Sequence, residues 1–297
     1  MRDASYRIIT VETDWVLEPE AMGTKKKFWF RDPTAGGREW LFKYPQSSTG
    51  QHWAEKIATE VARVMRVPHA TVELAEFRRT PGSASESFAV DGQELVHGNQ
   101  ILERIVTGYD PTVRFGQSHH SFKNIWECLG RVFQEREAAE TTKQQFAAYL
   151  VLDAVIGNTD RHHENWGFLR RRDEGRWKGF LAPSFDHASS LGRELRDVRR
   201  TLLLEEERVG AYSEKGRGGI YWVEATRYGP SPLDLVRMAA ARHSRYFLDT
   251  LESVRRLDDD AVLGIVDRVP SGWMSQPARE FAIKLIYYNR NKLSELL

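Results

Sequence analysis

Val151–Leu169 reads VLDAVIGNTDRHHENWGFL. An apolar run stops at Gly157-Asn158, and a polar loop follows with Asp160, Arg161, His162, His163 and Asn165. A short apolar piece, Trp166 to Leu169, leads out of it. Further on, the strand-like run Gly179-Phe180-Leu181-Ala182-Pro183 delivers Asp186. Two acids and an amide therefore sit at the edges of buried elements.

Asp160 and Asn165 stand in the spacing D-x-x-x-x-N. A carboxylate there can orient an acceptor hydroxyl and take its proton, and an amide oxygen five residues on can hold Mg²⁺ against phosphates; one rigid loop keeps both in register. Asp186 would chelate the same cation. This is the layout of a phosphoryl-transfer site. A capped turn rich in Asn and Asp is the plainer explanation, and Asp186 argues against it. A hydrolytic metal site at His162-His163 is disfavoured, because adjacent histidines do not share one face. His162 is expected to pack within the loop, and His163 and Glu164 to be exposed.

Outward toward the N-terminus, residues 7–17 read as a strand. Met22-Gly23-Thr24 and three lysines, then Phe28-Trp29-Phe30, suggest a hairpin whose Gly23 backbone approaches phosphate; a solvated basic turn is the alternative. In Leu41-Phe42-Lys43-Tyr44-Pro45, alternation puts Leu41 and Lys43 on one face and Trp40, Phe42 and Tyr44 on the other. Such a lysine snorkels to solvent or points into a cleft. Residues 52–66 are a helix, with Trp53, Ile57, Val61 and Val64 at helical spacing, Glu55 and Glu60 on it, and Pro68 ending it. Residues 70–77 read as a strand, 78–86 (RRTPGSASE) as a turn, 87–91 as a strand restart, and Leu95-Val96-His97 as strand after Gly92. The boundary of a small β-rich lobe falls there: residues 1–95, then a helical lobe over 96–297. Helices are expected at 99–106, 121–135, 141–156, 232–256 and 276–296. Residues 107–120 read as a loop and 204–219 as a mobile surface segment.

The chain has 297 residues and 41% hydrophobic content, enough for one large two-lobed unit. A net charge of +1 gives no sign of direct nucleic-acid binding. The N-terminus lacks the apolar core of a signal peptide, and no run is long enough to span a membrane. Cys128, the single cysteine, falls in an apolar pattern and reads as core; a reducing, cytoplasmic location is the simplest.

IGNTDRHHENWGFL, LAPSFDHAS, LFKYP and the helix pattern E-x-x-x-x-E-x-A before a proline together resemble the HipA-like serine/threonine kinases, distant relatives of protein kinases and phosphoinositide kinases. The ending FAIKLIYYNRNKLSELL is similar to that family's last helix. The resemblance implies an α+β, bilobal protein-kinase-like fold and an ATP-dependent protein kinase using ATP and Mg²⁺. It implies Asp160 as the catalytic residue, Asn165 and Asp186 as metal ligands, and Gly23, Thr24, Lys43 and Glu55 at the nucleotide. Glu60 competes with Glu55 as the partner of Lys43. Adenine would lie against the connector from Phe88 to Glu94. A toxin-type role, a protein substrate such as an aminoacyl-tRNA synthetase, and a DNA-binding antitoxin partner are further implications. Because the sequence begins almost at the kinase core, it is expected to resemble the short members of the family, without the additional N-terminal domain of about a hundred residues. Its glycine loop is thin, and Thr24 is the candidate autophosphorylation site. A phosphoinositide or small-molecule kinase and a nucleotide-binding pseudokinase are the alternatives. No basic amphipathic helix supports the lipid kinase, and retention of Lys43, Asp160, Asn165 and Asp186 opposes the pseudokinase.

Overall fold

A computed structural model describes residues 4–19, 27–90, 92–224 and 226–297; the expectations for Gly23 and Thr24 lie outside the described residues. The first half supplies β1 (Ile8–Val11), β2 (Val16–Pro19), β3 (Lys27–Asp32), β4 (Arg38–Lys43), α1 (Gln51–Met65), β5 (Val72–Phe77) and β6 (Thr80–Glu86). These strands form one sheet in the order β1-β5-β6-β4-β3-β2, with β1 parallel to β5 and the other pairs antiparallel.

Alternation along β3 and β4 divides the sheet's two faces. Phe28, Phe30, Trp40 and Phe42 pack with Phe77 as an aromatic core, the Phe28 and Phe42 rings stacking at 5.0 Å between centroids. Lys27, Trp29, Leu41 and Lys43 occupy the alternate positions and line a large cavity. Helix α1 covers the neighbouring part of the sheet with Trp53, Ala54, Ile57, Ala58, Val61 and Ala62, all buried.

The stretch expected as a turn, 78–86, is mostly strand β6. The turn itself is Arg78-Arg79, both at positive φ (49° and 61°), between the paired residues Phe77 and Thr80. This two-residue hairpin matches strand twist, and the small residues after it are required by packing. A Cβ at Gly82 would lie 2.5 Å from Phe42 Cζ and 2.6 Å from the Lys43 carbonyl oxygen. Pro81 is tolerated because it lies beyond the stretch paired to β4, which ends at Ser83. Described residues 87–90, expected as strand, carry none.

The second half follows with β7 (Glu94–His97), α2 (Gly98–Ile105), α3 (Phe122–Leu129), α4 (Arg136–Ile156), β8 (Gly167–Asp173), β9 (Arg176–Leu181), α5 (Asp197–Glu205), α6 (Val209–Lys215), α7 (Pro232–Val254), α8 (Asp259–Asp267) and α9 (Gln276–Ser294). Strand β7, which spans the expected division at 95/96, joins β8 and β9 in a separate sheet. Helix α4 is the axis of this half: Phe146 to Ile156 are all buried, and α7 and α9 pack on it. Segment 204–219 is largely helical rather than mobile, because Leu203, Val209 and Ser213 anchor α5 and α6 against α9. Cys128 is fully buried in the core, which pushes its thiol pKa up to about 12. Among the described residues, no helix is long and apolar enough to cross a membrane.

Candidate active site

Helix α4 ends because Gly157 takes a left-handed conformation (φ 64°), which turns the chain sharply into the polar loop. The loop is held by one buried hub. Arg161 makes a bidentate pair with Asp153 of α4, Nε to Oδ2 and Nη2 to Oδ1 both at 2.7 Å, with the two side chains 3% and 4% exposed. Its Nη1 donates to the Asn165 carbonyl at 2.7 Å, and Nη2 donates to Ser184 Oγ at 2.9 Å. Ser184 Oγ in turn lies 2.7 Å from His187 Nε2. One guanidinium thus ties together α4, the loop and the segment carrying Asp186. The planar fork suits this task; a lysine would not reach all three.

The loop's own bonds orient Asp160 and Asn165. Asp160 N–H donates to Asn158 Oδ1 at 3.1 Å, and Ser189 Oγ donates to Asp160 Oδ2 at 3.0 Å. Asn165 Nδ2 donates to the Asp160 carbonyl at 2.7 Å, which fixes the amide orientation and leaves Oδ1 as its acceptor end. Asp186 has a φ of 56°, a backbone state uncommon outside glycine but within reach of aspartate. Such outliers concentrate at functional sites.

From the opposite side, Lys43 Nζ donates to Glu55 Oε1 at 3.2 Å and to Asp186 Oδ1 at 3.3 Å. Burial works against the ammonium, but the Asp186 and Glu55 carboxylates outweigh it and raise its pKa above the ordinary lysine value. Glu55 is 1% exposed and also accepts from Ser83 Oγ at 3.3 Å. Glu60 is engaged elsewhere, 2.8 Å from Lys56 and 3.0 Å from Arg63.

Lys43, Asp160, Asn165 and Asp186 all line one cavity of about 850 Å³. Phe88, Leu95 and Phe185 line it too, with Phe88 and Phe185 rings 5.3 Å apart. Glu55 stands behind Lys43. His162 is buried in the loop as expected, its pKa lowered to about 3 mainly by that burial. His163 is buried, not exposed: Tyr109 from the 107–120 segment closes over it, with the hydroxyl 2.7 Å from Nδ1. That segment also sends Arg114 and Phe115 to the cavity wall, and Arg114 pairs with Glu164. Sequence reasoning missed these, along with Asp153, Ser184 and Ser189. Only the Arg161–Asp153 spacing around a helix end hinted at the hub.

Among the described residues no group of three or more His, Cys, Asp or Glu forms a metal cage. An amide oxygen and one carboxylate nevertheless suit Mg²⁺, which binds through one or two protein ligands and completes its shell with water and phosphate.

A β-rich sheet with one helix, closed over a helical half with paired acids and a lysine in the cleft, is the protein-kinase-like architecture. The profile of the HipA-like C-terminal domain matches residues 20–249, and the chain belongs to that family. No curated protein sequence matches it. The fold is similar to that of the Helicobacter pylori proinflammatory kinase CtkA: TM-score 0.75, 18% identity, 91% of this chain and 92% of that one covered. It is also similar to that of HipA from Shewanella oneidensis MR-1, solved in a toxin–antitoxin complex with HipB and operator DNA: TM-score 0.58, 14% identity, 96% of this chain and 65% of that one.

Proposed function

We propose that the chain is an ATP-dependent kinase that transfers the γ-phosphoryl group to a serine or threonine hydroxyl of a protein. The observation that carries this is Lys43 Nζ bridging Glu55 at 3.2 Å and Asp186 at 3.3 Å, in a cavity also lined by Asp160 and Asn165. In this reading the two lobes, 1–95 and 96–297, meet around β7. Phe88, Leu95 and Phe185 receive the adenine, and Lys43 neutralises the phosphates, held in place by Glu55. Gly23 and Thr24 would complete the phosphate contacts.

Asn165 Oδ1 and the Asp186 carboxylate would hold Mg²⁺, which when bound neutralises phosphate charge. Asp160 orients the acceptor hydroxyl and receives its proton, and Ser189 and the Asn158 side chain fix that carboxylate and its backbone. The acceptor oxygen bonds to the γ-phosphorus as the bond to the ADP oxygen breaks, and ADP leaves. The likeness to HipA extends the proposal to a cytoplasmic toxin-type kinase with a DNA-binding antitoxin partner. An aminoacyl-tRNA synthetase is one protein substrate to test.

The experiment is incubation of the purified chain with γ-labelled ATP and Mg²⁺, with cytosolic extract or with lipid vesicles. Label on protein bands that falls about 10²–10⁴-fold in Asp160→Ala is expected. Label confined to lipid, or nucleotide binding with no transfer, contradicts the protein-kinase reading.

A further inference from the structure

A second cavity, of about 300 Å³, lies beside the loop and shares Thr159 and Arg217 with the wall of the large one. It therefore lies beside Thr159, the neighbour of Asp160, and neither Phe88 nor Leu95 lines it. Its charge is one-sided. Arg199, Arg208, Lys215 and Arg217 line it against a single acid, Glu194, whose carboxylate already accepts from the Tyr212 hydroxyl at 2.5 Å. Arg208 pairs with Glu206 at 3.1 Å. Among the described residues, neither the Arg199 guanidinium nor the Lys215 ammonium has a hydrogen-bond or ion-pair partner. Leu203, Pro232 and Leu285 supply an apolar floor.

Gathering cations in a concave wall raises the local potential and draws in anions, and unpaired ones retain their full binding capacity. The volume suits one acidic side chain rather than a run of nucleic-acid backbone. We propose that this pocket binds an acidic group, a carboxylate or a phosphate monoester, on the protein acceptor, next to the hydroxyl presented to Asp160. This rests on the phosphotransferase reading above and adds to it a substrate class: serines or threonines with an acidic neighbour. The helices α5 and α6, which carry Arg199 and Lys215, would then be the specificity element.

The test uses fluorescein-labelled serine peptides flanked by glutamate, by phosphoserine, or by glutamine, and the full chain. Binding is followed by fluorescence polarisation and transfer by labelled ATP. The glutamate or phosphoserine peptide is expected to bind at least tenfold more tightly than the glutamine one, and the comparison of the two acids identifies which the pocket prefers. Arg199→Ala/Lys215→Ala should remove roughly tenfold of that preference, as expected for two solvent-accessible ion pairs, without changing the KM for ATP. Arg199→Glu/Lys215→Glu should reverse it toward a lysine-flanked peptide. Equal binding and equal transfer to acidic and neutral peptides overturn the pocket while leaving the kinase reading standing. A single-stranded oligonucleotide of equal charge that displaces the peptide equally well overturns the peptide occupant. Tight acidic binding with no transfer to any peptide overturns both the kinase reading and the acceptor role.

Discussion

At the scale of the residue, Arg161 governs the site without touching the cavity. It holds Asp153, the Asn165 carbonyl and Ser184 at once, at 2.7 to 2.9 Å. Removing one member of a buried pair leaves the other's charge uncompensated, which costs about 3–5 kcal/mol. Arg161→Ala is therefore expected to lower stability by that amount in urea unfolding and to abolish transfer. A loss under about 1 kcal/mol would show that the hub is no more than a surface-type pair. His120 makes a similar case for a neutral side chain. Trp166 Nε1 donates to its Nε2 at 3.1 Å, and its Nδ1 lies 2.8 Å from the Gly219 carbonyl. Only the neutral ring protonated on Nδ1 satisfies both neighbours.

At the scale of the element, β6 couples the sheet to the site. Gly82 lies against the ring of Phe42 and the carbonyl of Lys43, so a methyl group there must displace the strand that presents the lysine. Gly82→Ala is expected to cost about 1–3 kcal/mol, read as a lower Tm, together with weaker nucleotide binding. An unchanged Tm would mean that the strand yields freely. The same strand shows why part of the fold was hidden from the sequence. TPGSASE has poor strand propensity, and only pairing on both sides to β4 and β5 makes it a strand. Segment 204–219 was similarly obscured: its charges dominate the composition, while a few buried side chains decide its structure. By contrast, α1, the core of α4 and the Phe42/Lys43 alternation were legible, because periodicity reports the burial of a face directly. That Asp160 and Asn165, the proposed reacting groups, line one cavity was legible through their D-x-x-x-x-N spacing. The reach of Arg161 to Ser184 and the Tyr109 cover on His163 depend on contacts farther apart in the chain, which spacing does not encode.

At the scale of the whole molecule, burial keeps many histidines neutral. The pKa of His120 is lowered to about 4 and that of His162 to about 3, from 6.5, chiefly by desolvation. Between those values and 6.5 the unfolded chain binds protons that the folded one excludes. This contribution to stability is complete above pH 6.5 and is lost as pH falls toward 4. By pH 5 each such histidine removes roughly 2 kcal/mol. Unfolding midpoints in urea should drop steeply between pH 7.5 and 5, and less so in His120→Gln. A flat profile would show that these rings titrate normally in the folded state.

In the proposed function, one lysine from the sheet and two acids and an amide from the helical half converge on a single metal-bound nucleotide. Calorimetric binding of a non-hydrolysable ATP analogue, with and without Mg²⁺, tests it most directly. Mg²⁺-dependent binding to the wild-type chain is expected, weakened at least tenfold, or about 1.4 kcal/mol, in both Lys43→Met and Asp186→Asn. Binding that is indifferent to the metal and to both substitutions, or no binding by the wild-type chain, would contradict it.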